Sequence, residues 1–597
     1  MKILNKEESW HLLRGNLFQD KLCPPELVKA GKKIAKNCEG LPLLIVAVGK
    51  HLLKAEMTLE YWNHITENGN AVVIDADDEL SNILLLSYKH LLPHLKACFL
   101  YMAAFPKNYE IPTSKLINLW SVEGFLEPSQ FKALEEYLVD CLIELANKNL
   151  IMLGKQSTRG TLKSCKVHSV FWHVCVREAG KEKFMHVLSS YANSVTEHIQ
   201  NQHRLCIHNN VLFGIKDVHE SMASVSTTTR SLLCTGPPHQ YPVPLCFGLR
   251  LLRVLDGLAI RFYFFPTEVL KLLQLRYFAF TYNGMLPTSI SKLWNLQYLI
   301  VRQSLRIKSS RAQSYLPVET WNMKELRHLQ VMGSDLPDPC GGSLPNLVTL
   351  LDVNAHNCTK KVLQGIPNLK KLGIQIELTL DNAEALSFFD HLAHLHQLKS
   401  LKCVVVNPNT RSQVVAPISS LPPGLKKLSL SGFGYPWEYM KTIAKHHNLE
   451  VLKLRGYAFR GPNWEVNERD FLGLKVLLIE DSDLEYLGDS FNCFPLLERL
   501  IIRHCYKLKK IPYAIGNIHR LKMIKLVDCN PSVVAHAKEI HKVRESCGDK
   551  ALQVFVHFSW KTLGMTGSWA SEICSITGFN EISVAGNGEM ICATREL

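Results

Sequence analysis

The sequence predicts a multidomain α and α/β protein: a small helical bundle and a winged-helix unit, then a curved leucine-rich-repeat solenoid with a parallel β-sheet. Three observations predict it. A leucine phrase recurs from residue 249 at a near-constant step. Apolar residues recur at helical spacing between residues 80 and 147. Two short apolar runs then follow across a polar turn.

The repeat is the strongest signal. Phrases such as LRLLRVLDGL, LWNLQYLIV, HHNLEVLKLRG and IHRLKMIKLVDC place twelve leucine anchors from Leu252 to Leu521, at steps of 21 to 30 residues. That is the leucine-rich-repeat period. In L-x-x-L-x-L the leucines enter a core while alternate residues of a short strand face outward. One repeat cannot bury its own apolar side, so neighbours stack and their strands line a concave face. Leu-Pro phrases at 286–290 and 316–320, and IPYAI at 511–515, predict turns feeding the opposite side. The outward positions Lys402, Lys427, Ser429, Lys453, Arg455, Arg503 and Lys525 make the C-terminal half basic, whereas Asp256, Ala279, Ile300 and Gln330 stand in earlier repeats. This suits an acidic protein partner; the plainer reading is a solvated face that keeps the solenoid soluble.

Ahead of the repeats, SNILLLSYKHL and PHLKACFLYMAAF read as two helices, the second with Pro93 in its first turn. Thr113 is placed to cap SKLINLWSVEGF. FKALEEYLVDCLIELANKNL puts Phe131, Leu134, Leu138, Cys141, Leu142 and Leu145 on one face. NLIML (149–153) and TLKSCKV (161–167) then form a hairpin around Gly160. Helices followed by such a wing define a winged helix, a fold that often reads DNA. The helix that would enter a groove carries Lys115 and no Arg, so no specific nucleic-acid partner is expected.

Length and composition agree with several folded domains. The chain has 597 residues, 47% hydrophobic and 20% charged, which excludes disorder. A net charge of +14 favours acidic partners without selecting one. The eighteen cysteines fall singly with no C-x-x-C pair, as in a reducing compartment. The early apolar run Leu41–Val48 is far short of the roughly 20 residues a membrane span needs. The expected location is cytoplasmic, with peripheral membrane association as the alternative.

The order GLPLLIVAVGKHL, LLLSYKHLLPHLKACFLYMAAFPKNYEIPTSKLINLWSVEGF, LIELANKNLI, VHSVFWHVCVREA and then leucine repeats resembles plant nucleotide-binding leucine-rich-repeat (NB-ARC) disease resistance proteins. The phrases look closest to the coiled-coil class and its late blight resistance group from nightshades, over roughly residues 1–545. The resemblance implies a helical C-terminal part of the nucleotide-binding module at 1–75 and a winged helix at 80–180. A linker and repeat cap at 181–245, a solenoid at 246–545 and an atypical tail at 546–597 follow. It implies an intracellular immune receptor, not an enzyme, whose repeats recognise a pathogen effector or a guarded host protein. Self-association during signalling is a further implied contact.

The family also implies ADP or ATP as cofactor in full-length relatives. Gly40-Leu41-Pro42-Leu43 matches the motif whose proline packs on adenine, and Val167-His168-Ser169 matches the Met-His-Asp motif whose histidine reaches the β-phosphate. Ser169 stands where the family has Asp, and a shorter, uncharged side chain should orient His168 less well.

The phosphate-binding core of that module is missing from the sequence. None of the Gly-Lys pairs at Gly31, Gly49, Gly154 and Gly180 is followed by Ser or Thr, so no phosphate-cradling loop is present. The early position of Gly40–Leu43 therefore predicts an N-terminally truncated relative. One hydrogen bond from His168 contributes roughly 1.5–3 kcal/mol, against an association cost of roughly 4–15 kcal/mol. This chain alone is expected to bind neither nucleotide. VVIDADDEL (72–80) lies after the motif and reads as an acidic loop ahead of a helix at Ser81. His391, His394 and His396 fall on a connector without metal-ligand spacing, and no metal or catalytic site is expected. The alternative function is a nucleotide-independent leucine-rich-repeat adaptor or a nonfunctional truncated relic.

Overall fold

A computed structural model describes residues 4–558 except 20, 56, 69–77, 127–133, 155–161, 190–201, 209–227, 238–248, 263, 304–315, 335, 378–387, 407–417, 491–492 and 550, together with Ser583–Val584 and Met590–Ile591. The chain divides into two compact units. One comprises Met1–Asn283, Asn295–Gln297 and Arg302–Ser304; the other comprises Gly284–Trp294, Tyr298–Val301 and Leu305–Leu597.

The first unit opens with four helices. In α1 (Lys6–Phe18) the Asn5 side chain accepts from the Glu8 amide while Glu8 accepts from the Asn5 amide. This reciprocal cap satisfies two otherwise orphaned donors. α2 (Pro25–Asn37) and α3 (Pro42–Lys54) begin on prolines, whose missing N–H costs nothing in a first turn. α4 (Leu59–Asn68) packs on α2. Gly31 sets how closely they pack, since a Cβ there would meet Trp10 Cζ3 at 2.4 Å and Trp62 Cζ3 at 2.9 Å.

The winged helix follows: α5 (Asp78–Lys89), α6 (Pro93–Tyr101), β1 (Ile111–Pro112), α7 (Thr113–Glu123), α8 (Leu134–Asn147), β2 (Ile151–Leu153), β3 (Ser164–Val167) and α9 (Ser169–Lys181). β3 lies between β1 and β2 and is antiparallel to both. Leu138, Cys141, Leu142 and Leu145 of α8 are buried as their spacing requires; Phe131 and the turn at Gly160 lie outside the described residues. Two local expectations change. α5 starts at Asp78 rather than at Ser81, so the end of the expected loop is helical; residues 72–77 lie outside the described set. Thr113 is inside α7 with Pro112 at the cap, because its amide donates to the Lys163 carbonyl at 2.9 Å.

The rest of the first unit is a parallel ladder: His186–Leu188, Arg204–Ile207, Ser231–Cys234, Val254–Arg261 and Tyr277–Thr281, each paired with the next. It begins inside 181–245, ahead of the first leucine phrase. The second unit has its own parallel ladder, from Tyr298–Arg302 and His328–Ser334 through Val451–Arg455 to Gln553–His557. Leu372, Leu401, Leu428, Leu452, Leu477 and Leu500 are in register and fully buried. Each Leu-Pro phrase becomes a short turn: 3₁₀ at Thr288–Lys292 and Val318–Asn322, and one α-turn at Tyr513–Gly516. This is the leucine-rich-repeat solenoid that the period predicts, with a winged helix before it in the chain.

Aromatic rings fill the middle connectors, with Trp437 and Trp464 stacked at 4.7 Å between centroids. Near the end, buried Arg544 on helix Pro531–Ser546 donates to the carbonyls of Ile518 (3.0 Å) and Leu521 (3.2 Å) and pairs with Asp549. Among the described residues the tail adds a parallel strand, Gln553–His557, on which Met590–Ile591 pairs antiparallel.

Candidate ligand and partner sites

The turn between α2 and α3 carries the Gly-Leu-Pro-Leu motif. Glu39 and Gly40 both take left-handed backbone (φ 48° and 78°), which aims the Glu39 side chain at the start of α9. Its carboxylate accepts from Lys166 Nζ and from the Ser169 amide, each at 2.8 Å, and lies 3.3 Å from His168 Nδ1. Burial opposes ionisation of Glu39, but the imidazole, the Lys166 ammonium and the Ser169 amide outweigh it and hold the pKa below its usual value. His168 is buried, and burial outweighs the pull of Glu39, so its pKa is lowered and the imidazole is neutral at pH 7. Lys166 and the amide therefore supply most of the hold on Glu39 at neutral pH. The carboxylate that Ser169 lacks is brought by Glu39, across 130 residues of sequence.

His168 Nδ1 lies beside Glu39, while Nε2 is buried without a hydrogen-bond partner among the described residues and is the ring nitrogen that would meet a phosphate oxygen. But Glu39 already places negative charge on the Nδ1 side, and Pro42 at the start of α3 is only partly buried. These residues fit one contact to a phosphate oxygen and do not form a diphosphate cradle. Among the described residues no group of three His, Cys, Asp or Glu could hold a metal ion.

In a DNA-binding winged helix, α7 is the helix that enters the groove; here it packs against the first unit's ladder. Lys115 forms a 2.5 Å ion pair with Asp256, whose side chain is fully buried, and Glu123 pairs with Arg204 at 2.9 Å and accepts from Ser231 Oγ. The Ala104 carbonyl accepts from Thr235 Oγ1 and lies 3.1 Å from His208 Nε2. Asp256, expected to face outward, is thus covered, and Ala279 is buried too.

The basic positions of the second unit do not form one open stripe. Arg455 and Arg503 flank Glu480 at 2.8 and 3.5 Å. Lys453 has the predicted register, opposite Ser429, yet is only 5% exposed. That corrects the expectation of an outward, solvated lysine: Ser429 and Leu478 stand in register with it on the strands to either side, close enough to cover it. Lys427, Lys453 and Lys525 all have partners within the chain. Lys402 remains exposed, and beside it stands Lys371, which sequence reading passed over. Lys371 opens its strand two residues before Gly373 and pairs across to Ser400.

Glu39 was also missed, although it is the acid directly ahead of Gly40; what located it was the fold of α9, which a linear phrase does not carry. Among the described residues no helix is long and apolar enough to cross a membrane. The described cysteines are unpaired and, apart from Cys23, Cys340 and Cys547, buried.

Comparison with known proteins gives the class. Residues 104–174 match the disease resistance protein winged helix domain, and residues 228–460 match a leucine-rich repeat region. The chain therefore has the winged-helix and leucine-rich-repeat build of disease resistance proteins. A late blight resistance protein homolog of Solanum demissum is 32% identical over 570 residues, covering 91% of this chain and 42% of the relative. A second from the same species is 31% identical over 594 residues, covering 94% and 45%. The chain is a homologue of the late blight resistance proteins and spans under half the length of these relatives. Among solved structures, a Leptospira interrogans leucine-rich-repeat protein matches with a TM-score of 0.38 at 15% identity, covering 64% of this chain and 98% of that one.

Proposed function

We propose that this chain is the recognition part of a plant intracellular disease resistance receptor, sensing a pathogen effector or a guarded host protein through the strand faces of its repeats. The observation that carries this reading is homology to the late blight resistance proteins along 91% of the chain. The exposed lysines at 371 and 402 add a surface suited to an acidic partner. Solenoids bind along such faces and supply no reacting groups of their own, so the role is that of a non-catalytic receptor in the cytoplasm. In a full-length protein an ADP/ATP switch would be completed by residues outside this chain, with Pro42 against adenine and His168 toward phosphate.

A second reading is a nucleotide-independent adaptor. It is supported by Glu39, which satisfies the α9 N-terminus and Lys166 without any ligand. The test of the first reading is a chimera in which residues 246–545 replace the repeats of a full-length late blight resistance protein. Expressed in leaves with a panel of pathogen effectors, the chimera should trigger cell death with an effector pattern that follows the transplanted repeats. A pattern that follows the host receptor instead would refute it.

A further inference from the structure

Strand Lys371–Ile376 has Gly373 where its neighbour Ser400–Val405 has Lys402. The missing side chain leaves a gap in the row, and Leu351 leans into it, with Cδ2 3.0 Å from where a Cβ of residue 373 would lie. Beside the gap, strand Thr349–Asn354 bulges between Leu350 and Val353 and carries Asp352 in left-handed backbone (φ 62°). The result is a depression of about 210 Å³ lined by Asp352, Gly373, Gln375, Lys402, Val404 and Val406. That is smaller than the roughly 300–1,000 Å³ of small-molecule pockets and of a size to take one side chain.

The charge around it is unbalanced. Asp352 is engaged by Gln330 Nε2 at 2.7 Å and Gln375 Nε2 at 3.2 Å. Lys402 and Lys371 are exposed, and the nearby carboxylate, Asp352, is held by the two glutamines. They repel one another: after burial, the Lys402 charge is the next cause lowering the Lys371 pKa, with Asp352 opposing it. An added carboxylate beside the two lysines would offset that repulsion. One wall is aliphatic, from Val404 and Val406.

We propose that this depression binds a glutamate side chain presented by a protein partner, with its methylenes against Val404 and Val406 and its carboxylate shared by Lys402 and Lys371. The aliphatic wall favours glutamate over the shorter aspartate, and a single-residue pocket favours a protein over a polyanionic strand. The proposal rests on the receptor reading for its biological meaning but is tested apart from it.

The experiment uses the full chain and a fluorescein-labelled hexaglutamate peptide in fluorescence anisotropy at low salt, with thermal melts checking that each variant is folded. Lys402→Met and Lys371→Met should each weaken binding at least tenfold, while Lys525→Met, a lysine elsewhere in the ladder, changes it less than twofold. Hexaaspartate should bind at least threefold more weakly than hexaglutamate. Equal losses at all three lysines, equal binding of both peptides, equal competition by oligothymidylate, or no binding of hexaglutamate would each overturn the proposal. Any of those results leaves the leaf chimera experiment free to succeed, so the two readings fail separately.

Discussion

Replacing Glu39 by Ala removes a carboxylate that joins the α2–α3 turn to the start of α9. The change deletes two charge-assisted hydrogen bonds, to Lys166 Nζ and the Ser169 amide, both at 2.8 Å. Such bonds contribute roughly 1.5–3 kcal/mol each. The Lys166 side chain is 29% exposed, so water recovers part of its loss and the lower figure applies there. The Ser169 amide belongs to a helix first turn and loses its Glu39 acceptor. The expected cost is about 2–4 kcal/mol for local opening of this junction. At about 1.4 kcal/mol per factor of ten, amide exchange at Ser169 and the first turn of α9 should accelerate roughly thirty- to thousandfold. Glu39→Gln keeps an acceptor but loses the charge and should fall between. Hydrogen exchange read by mass spectrometry on peptides spanning 165–175, with 134–147 of α8 as internal control, is the assay. Exchange in α9 unchanged within a factor of two would refute the clamp, and acceleration equal in α8 and α9 would point to general unfolding instead.

Three further outcomes follow. Leu452→Asp puts an unpaired carboxylate at a fully buried position, and the chain should fail to melt cooperatively, whereas Lys453→Met, one residue on, should cost under about 1 kcal/mol by thermal melting. Burial, aided by the Lys371 charge, pushes His328 down to about 4; the unfolded state then binds the proton first as pH falls. Stability should therefore drop between pH 6.5 and 4 by at most about 3 kcal/mol, and His328→Gln should flatten that part of a urea-stability pH profile. Arg544→Ala leaves the carbonyls of Ile518 and Leu521 without their donor and should destabilise the last repeats by about 2–4 kcal/mol, visible as early proteolysis near residue 520.

Much of the fold was legible because one physical constraint, burial of leucine at a fixed step, is written directly in the chain. Leu401, Leu428 and Leu452 are buried in register because no other placement hides them. Side-chain direction was legible for the same reason, but exposure was not. Lys453 points to the predicted face and is still covered, since coverage depends on neighbours from adjacent strands. Asp256 shows the same limit at longer range, being covered by Lys115 from a helix some 140 residues earlier. At the motif pair, Pro42 and His168 were legible as phrases, while the residue that joins them, Glu39, depends on two left-handed turns that no period encodes. Lys371 escaped because its meaning comes from the glycine two residues later and from Lys402 on the next strand.

Glu39 satisfies Lys166 and the Ser169 amide from within the chain, and we propose that residues 1–597 alone do not bind ADP. Calorimetric titration of residues 1–597 with ADP tests it most directly. A complex of even 1 mM needs about −4 kcal/mol, and one hydrogen bond plus partial packing on Pro42 does not reach it once association costs are met. No saturable heat is expected up to millimolar ADP, with His168→Ala unchanged. A dissociation constant in the micromolar range, lost in His168→Ala, would contradict it.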